Sequence, residues 1–451
     1  MFALHRLLRV NAYLTCGLTD DHGDSTMRTR TNPFVLMAGL YLTVGLLALF
    51  GKLAVEVGAI ETLPRLRWLL VHFVTIGAMT QALFGALPNL LASVTDTETT
   101  FPSRGRWLQW LALNAGFPLL LVGMATSSTT TAVTGGTAIL TALVLLLASA
   151  TRTVLGESSS GLLGRYYVVA PSFLVVGIFA AFGLLLNVHG PGGYFGTIEA
   201  HVHANVWGFL ALVVAGTLLA ITPEVAGVTL RYPRLTRVTF WGLVVGAAGL
   251  VAGPWLAVHA LTFTGLAVYV VGTVALLVNV VATRRSNGCE PDSRFAHVLG
   301  AYLWLVFPVP WAPLVLLFPD VVPAVAIETA AIDGLVFGWM LQLAMGLLPS
   351  VATAFHDDGP VAIPKAVASS PHRPSWTGVV TVNVGMLAIW LTAVPTLADV
   401  AELLTLGGFT LVAVAWIRFL PGLWRVLVGG SERVRPEDED PARRSRETLL
   451  D

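Results

Sequence analysis

Charged residues are scarce in this sequence. They make up only 12% of the 451 residues, about half of the share found in soluble domains. The 26 basic residues are balanced by 26 acidic ones, so the chain has no excess of positive charge with which to bind nucleic acid. This composition excludes a soluble enzyme, a disordered chain and a nucleic-acid binder.

Cysteine is also scarce, since Cys16 and Cys289 are the only two. Two isolated cysteines cannot build a disulfide framework or a thiolate metal site. The sequence has no Cys-x-x-Cys-His motif for a c-type haem and no Walker or dinucleotide-binding glycine motif. If the chain carries electrons, we therefore expect a quinol or a separate electron-donor protein to supply them.

Long apolar runs are abundant, and 55% of the residues are hydrophobic. A membrane-spanning helix needs about 20 mostly apolar residues. The runs are unbroken rather than alternating, which argues against a transmembrane barrel. The sequence therefore predicts an all-α membrane protein with twelve transmembrane helices. The predicted spans are 33–51, 67–92, 107–125, 132–151, 166–187, 201–222, 237–258, 260–283, 296–318, 327–349, 376–396 and 403–424.

Arginine and lysine are unevenly distributed between the predicted loops. The loops after spans 2, 4, 6, 8 and 10 carry them, whereas the loops after spans 3, 5, 7, 9 and 11 carry none. The loop after span 1 is the exception, with Lys52, Arg65 and Arg67. The positive-inside rule then predicts a multi-pass protein of the cell (plasma) membrane with both termini in the cytoplasm.

Three regions are expected along the chain. Residues 1–31 form a polar N-terminal extension, which we expect to be disordered or to follow from a mis-assigned start codon at Met1 rather than Met27. Residues 32–425 form the twelve-helix domain, and residues 426–451 form a charged cytoplasmic tail.

One residue pattern occurs three times, and its three copies begin at the almost evenly spaced positions 72, 203 and 333. A polar residue is followed by Gly five positions later, by a second Gly after eight more, and then by Leu after two more. The period matches four predicted helices, which indicates three pseudo-symmetric four-helix arcs around a pseudo-threefold axis. The glycines alone could instead serve close helix packing. The three sets are His72, Gly77, Gly85 and Leu87; His203, Gly208, Gly216 and Leu218; and Asp333, Gly338, Gly346 and Leu348.

Five histidines fall on the predicted outer side: His72, His189, His201, His203 and His259. Imidazole in hydrocarbon is costly without a partner, and it ligates haem iron and copper. We therefore expect His72 and one of the pair His201 and His203 to bind a haem. Those two residues are placed in the first turn of span 6, about 200° apart around the helix. The other histidine of the pair, with His259 or His189, could bind copper, although His189 and His259 also suit a plain interfacial role.

The helix count and the histidines resemble the catalytic subunit I of heme-copper oxidases over residues 33–424. The nearest branch is the b-haem cytochrome c oxidases and nitric oxide reductases. The resemblance implies that His72 is a low-spin haem ligand. It also implies that His203, in the run HVHANVWGFLALVVAG, stands where the family has a copper ligand.

The sequence departs from this family at the reactive centre. The two histidines expected on helix 7 are Trp255 and Leu256, and those expected on helix 10 are Ala331 and Asp333. A reactive-haem ligand, a second low-spin haem ligand and two copper ligands are therefore missing. The resemblance implies a divergent paralogue, and not a working terminal oxidase.

Two functions remain open at this stage. The first is a haem b protein that acts in electron transfer or in the chemistry of a small diatomic gas, O2 or NO, as a respiratory-type oxidoreductase. Gln81, Asn114, Gln342 and Asn383 could then form a proton path, or could simply hold helices together. The second is a non-redox protein whose histidines bind a metal ion or a substrate for sensing or transport. Threefold parallel repeats disfavour the common inverted-repeat transporters.

Overall fold

The computed structural model describes residues 32–95, 103–156, 161–286, 288, 291–318, 320–355 and 361–429, and this part of the chain is helical without strands. Eleven of its helices are long and apolar enough to cross a membrane, which makes the chain a multi-pass helical membrane protein. The main helices are α1 Pro33–Glu56, α2 Leu66–Thr95, α3 Ser103–Ala125, α4 Thr129–Gly156, α5 Leu162–Leu186, α6 Gly193–Ala226, α7 Leu235–Trp255, α8 His259–Arg285, α9 Ser293–Leu317, α10 Ala324–Thr353, α11 Trp376–Leu391 and α12 Ala401–Gly429.

The helix α11 is the exception to the predicted spans. It has 16 residues, which gives a length of about 24 Å, whereas the hydrocarbon core is about 30 Å thick. The structure replaces the end of the predicted span 376–396 with a turn and a short 3-10 helix, Pro395–Val400. Twelve crossings therefore stay a prediction, while eleven candidate spans are present in the described residues.

The prediction for the start of the sixth helix is wrong. The helix begins at Gly193, so His201 and His203 are its ninth and eleventh residues and do not lie in its first turn. In the Gly-rich segment before them, Gly196 packs against the backbone carbonyl of Pro254 in α7. At 1.5 Å per residue, the two histidines lie about 12–15 Å below the start of the helix.

The helices α2, α6 and α10 form the centre of the bundle. The buried share of their apolar windows is 56%, 78% and 83%, against at most 50% in the other eight candidate spans of the described residues. The three helices surround a central cavity of about 80 Å³. Its lining is apolar and includes Leu83, Val214 and Ala344, which occupy equivalent positions of the repeat.

Each of these three helices contains a π-helical segment at the same place in the repeat. The segments are Phe73–Thr80, Ala204–Leu210 and Gly334–Leu341, so each begins directly after the polar residue His72, His203 or Asp333. π segments are rare and concentrate at functional sites. Their starts have the same spacing along the chain as the sequence pattern, and they reproduce its period independently of the glycines.

The glycines of the repeat accept an aromatic side chain from the preceding helix. A β-carbon added at Gly77, Gly208 or Gly338 would lie 2.7 Å from the Cβ of an aromatic residue. Seven residues earlier on the preceding helix, another side chain contacts the second glycine of the repeat in the same way. The contacting side chains are Tyr41, Phe173 and Trp304 at the first glycine, and Phe34, Tyr166 and His297 at the second.

Two helical hairpins, α3–α4 and α7–α8, have the same turn. Ser127 and Ala257 are one repeat period apart, and both have φ 57°. In each hairpin the N–H of the next residue donates to a glycine carbonyl, Gly123 or Gly253, at 2.8 Å. This is the Schellman pattern that ends a helix. The two turns therefore agree in backbone detail.

We expect Gly77→Ala, Gly208→Ala and Gly338→Ala each to lower the thermal unfolding midpoint of the purified protein. The added methyl group would overlap the aromatic side chain, and overpacking costs about 1–3 kcal/mol. Gly407→Ala in α12 is the matched control, because an added β-carbon there meets nothing within 4 Å. Midpoints as high as that of the control would contradict the packing described above.

Candidate functional site

The ring of His72 is oriented by its own helix. Its Nδ1 lies 2.8 Å from the carbonyl oxygen of Trp68, and the indole of Trp68 stacks on the imidazole at 3.8 Å between ring centroids. The side chain is half-buried. It lies within electrostatic range of His201 on α6.

His201 turns from α6 toward α5. Its Nδ1 lies 2.8 Å from the carbonyl oxygen of Gly177. The side-chain amide of Asn205, one turn further along α6, lies 3.1 Å from the same nitrogen and 3.4 Å from Nε2. Gly177 has no side chain to displace this amide. The ring is therefore held from two sides.

His203 turns to the opposite side of α6, toward α7. Its Nδ1 lies 2.8 Å from the carbonyl oxygen of Leu250. Pro254 is four residues further along α7 and has no N–H with which to bond that carbonyl. The proline therefore leaves an acceptor that the imidazole uses. The ring also contacts Trp207 edge-on at 4.9 Å.

These three contacts determine which nitrogen carries the proton. A carbonyl oxygen only accepts hydrogen bonds, so Nδ1 of His72, His201 and His203 is the donor. Nε2 then bears the lone pair. Metal-ligating histidines show the same arrangement, with the second ring N–H on a backbone carbonyl. Within the described residues, Nε2 of His72 and of His203 has no hydrogen-bond partner.

The other two candidate histidines lie apart from this arrangement. His189 in the α5–α6 loop pairs through Nε2 with Asn187 at 2.9 Å. His259 is the exposed first residue of α8, and its charge is felt by Glu199 of α6. Among the described residues, no group of three His, Cys, Asp or Glu could hold a metal ion. A copper site at His203, His259 and His189 stays a prediction.

Asp333 occupies the third equivalent position without a histidine. Its carboxylate is buried, with 6% of the residue exposed, and Oδ1 lies 3.7 Å from Nη2 of Arg67. The same guanidinium nitrogen donates to the carbonyl of Thr329 at 3.2 Å. Lys52 likewise pairs with Glu56 at 2.6 Å. Lys52, Arg65 and Arg67 are the basic residues that depart from the positive-inside rule. Two of them, Lys52 and Arg67, are therefore paired with carboxylates.

Position 255, where the resemblance implied a missing histidine, carries an indole. Trp255 ends α7, and its ring packs against Gly190 of the α5–α6 loop, where an added β-carbon would lie 2.7 Å from Cδ2. The next residue, Leu256, is exposed. Neither side chain offers a metal ligand, as the sequence predicts.

The buried amides form two separate hydrogen-bonded pairs. Gln81 of α2 donates to Asn114 of α3 at 2.7 Å, and Asn383 of α11 donates to Gln342 of α10 at 2.8 Å. The indole of Trp304 donates to Asn383 at 2.8 Å. Each pair joins neighbouring helices, which is the packing role left open by the sequence.

Sequence reasoning missed three neighbours of the histidines. Trp68 stands four residues before His72, Asn205 four after His201, and Trp207 four after His203. Residues four apart share one helix face, so the i, i+4 spacing in WLLVH and HVHANVW was a usable signal. The partner carbonyls of Gly177 and Leu250 had no such signal, because they belong to other helices.

No protein-family model matches the sequence, and no curated protein matches it.

We expect Arg67→Gln to lower the free energy of unfolding by about 1–3 kcal/mol, because it leaves the buried carboxylate of Asp333 without its charged partner. Asp333→Asn in the same background should recover part of this loss, since it removes the unpaired charge. Denaturation of the two single variants and the double variant measures the coupling. Arg65→Gln is the control, and an Arg67→Gln variant as stable as this control would contradict the ion pair.

Proposed function

We propose that this chain is a haem-binding membrane protein, a divergent relative of heme-copper oxidase subunit I, that transfers electrons or acts on a small diatomic gas. The observation that carries the proposal is that His72 on α2 and His201 on α6 are each oriented by a hydrogen bond from Nδ1 to a backbone carbonyl, and that the two rings lie within electrostatic range of each other. Both rings hold their Nδ1 proton on a backbone carbonyl, which leaves the lone pair on Nε2, and at His201 the side-chain amide of Asn205 lies 3.4 Å from that nitrogen. These two imidazoles would hold one haem b, with Asn205 giving up its contact to Nε2.

The contacts favour His201 over His203 as the second ligand. His201 and His72 interact electrostatically, whereas His203 turns to Leu250 on the other side of α6. A haem held by His72 and His201 would supply one-electron redox chemistry. Neighbouring side chains orient the two imidazole rings: Trp68 stacks on His72, and Asn205 contacts His201.

The replaced ligand positions separate this proposal from oxygen reduction at a haem and copper pair. Trp255, Leu256, Ala331 and Asp333 cannot supply the imidazoles that a reactive haem and a copper ion need. Electron transfer by a haem held by His72 and His201 would need none of them. A quinol or a separate donor protein then supplies the electrons, because the chain has no c-type haem motif.

The architecture belongs to the same proposal. The three π segments, the aromatic contacts to the repeat glycines and the matching hairpin turns support a triplicated unit of four helices. In this arrangement α2, α6 and α10 are the inner helices of three arcs. The histidines then lie at one end of the bundle, and the basic loops after α2, α4, α6, α8 and α10 lie at the other, which we call the basic end.

The haem proposal predicts distinct spectra for four variants. The purified protein, reconstituted with haemin, should show a low-spin haem spectrum whose Soret band shifts on reduction with dithionite. His72→Ala and His201→Ala should each abolish this low-spin spectrum, because each removes an axial ligand. His203→Ala should retain it.

His259→Ala is the matched control, because this exposed ring lies at the end of α8 and should leave the spectrum unchanged. Circular dichroism establishes that each variant folds. If the folded His72→Ala protein keeps the wild-type spectrum, the haem proposal fails and the non-redox metal-binding or transport function takes its place.

The orientation proposal places the basic end in the cytoplasm of a cell whose plasma membrane holds the protein. In a background with Cys16→Ser and Cys289→Ser, the exposed positions Val258 and Arg234 report the two ends of the bundle. Val258→Cys should react with a membrane-impermeant maleimide in intact cells, and Arg234→Cys should react only after the membrane is opened. The reverse labelling would place the basic end outside.

A further inference from the structure

A second cavity, of about 280 Å³, opens at the basic end between α9, α10, α11 and α12. We call it the basic-end cavity. Its inner wall is apolar and includes Met345, Phe419 and Leu423. The polar and cationic side chains of its lining include Ser350, Ser375, Arg373 and Arg418, and none of the described residues that line it carries a carboxylate. The histidines of α2 and α6 are not part of its lining, so its role is separate from the proposed haem.

Two arginines line the cavity. Arg418 of α12 is exposed and makes no ion pair or hydrogen bond with any described residue. Arg373 precedes α11 and donates through Nη1 to the carbonyl of Ser370 at 2.7 Å. A guanidinium has five N–H donors, so both side chains keep donors for a ligand. Arginine is the residue best suited to bidentate binding of phosphate oxygens.

The nearest acidic group does not neutralise this site. Asp292 lies outside the cavity lining and within electrostatic range of Arg373. Its carboxylate is already paired with the guanidinium of Arg294 at 2.9 Å. Burial alone would raise the pKa of Asp292, but the hydrogen bonds and charge of Arg294, with the charge of Arg373, hold it below its usual value. The carboxylate of Asp292 is therefore already ion-paired with Arg294.

His297 lines the same cavity, and its imidazole makes no hydrogen bond to the described residues. The residue is 1% exposed, and neither ring nitrogen has a hydrogen-bond partner among the described residues. A buried polar group without a partner costs about 1–3 kcal/mol. The equivalent positions of the other two repeats carry the aromatic residues Phe34 and Tyr166, which pack on the same glycine of the repeat. Packing alone therefore does not require a histidine here.

The start of α11 faces the same space. Ser375 lines the cavity and caps the helix by accepting from the N–H of Gly378 at 3.1 Å. A β-carbon at Gly378 would lie 3.6 Å from Nε2 of His297, so the helix start and the imidazole are adjacent. A helix N-terminus attracts anions through its dipole and its free N–H groups.

We propose that the basic-end cavity binds a phosphate group, carried either by an anionic phospholipid headgroup or by free phosphate. Arg373 and Arg418 bind its oxygens, His297 donates a hydrogen bond, and the N-terminus of α11 faces it. The apolar wall next to the charged groups matches the junction of a headgroup with its acyl chains. Basic pockets between membrane helices bind anionic lipids in this way.

The test measures binding of dioleoylphosphatidylglycerol to the full-length protein by native mass spectrometry. The double variant Arg373→Gln with Arg418→Gln should bind about tenfold more weakly than the wild type, because it removes two charge-assisted contacts. The control is Arg234→Gln with Arg237→Gln, which removes two exposed arginines of the same end outside the cavity. Equal affinities of the two double variants would overturn the proposal.

Two further measurements identify the ligand and the role of the histidine. Competition by inorganic phosphate shows that phosphate itself is recognised, whereas arginine-dependent lipid binding without such competition shows that the lipid is required. His297→Phe introduces the residue that packs at the equivalent position of α1, so the fold should be retained. This variant should bind phosphatidylglycerol several-fold more weakly, and unchanged affinity would remove His297 from the site.

Discussion

Hydrogen bonds from side chains to backbone carbonyls organise the polar interior of this protein. Hydrocarbon offers no water to a polar group, so each polar side chain must find its partner within the protein. Each π segment has one such donor: Thr80 to Thr75, Tyr269 to Trp207 and Gln342 to Gly338. Pro254 frees a further carbonyl, at Leu250, and there the donor is His203. Polar side chains of α2, α6, α8 and α10 are thus tied to the backbone, and the bond to Leu250 also orients the ring of His203.

The sequence predicted the positions of the helices well, because a membrane span is defined by length and apolar composition alone. Each predicted span overlaps a helix of the structure. The sequence did not predict the helix ends that depend on packing. α6 begins at Gly193, beside the carbonyl of Pro254, and α11 ends at Leu391 although the apolar run continues. The N-terminal extension 1–31 and tail residues 430–451 lie outside the described residues, and α12 continues through the predicted boundary to Gly429.

The candidate site was predictable only in part. The repeat placed His72, His203 and Asp333 at equivalent positions, and the helical period placed His201 and His203, two residues apart, on opposite sides of α6. The structure shows which partner each side chain has: His201 bonds to α5, His203 bonds to α7, and Asp333 pairs with Arg67. These partners come from different helices, so no local pattern could reveal them. His297 was visible in the sequence only as a histidine near the inner end of a helix, because its significance lies in the side chains that surround it.

The tight hairpin of α7 and α8 has a consequence for biogenesis. Three residues, Leu256–Val258, join the two helices, and Gly249 and Gly265 bring their backbones together, with 2.7 Å between an added β-carbon at Gly249 and the Cα of Gly265. No lipid fits between such surfaces, and the turn is too short for one helix to enter the bilayer while the other waits outside. We therefore expect α7 and α8 to enter the bilayer as one hairpin, and the α3–α4 pair, which has the same turn, to do so as well.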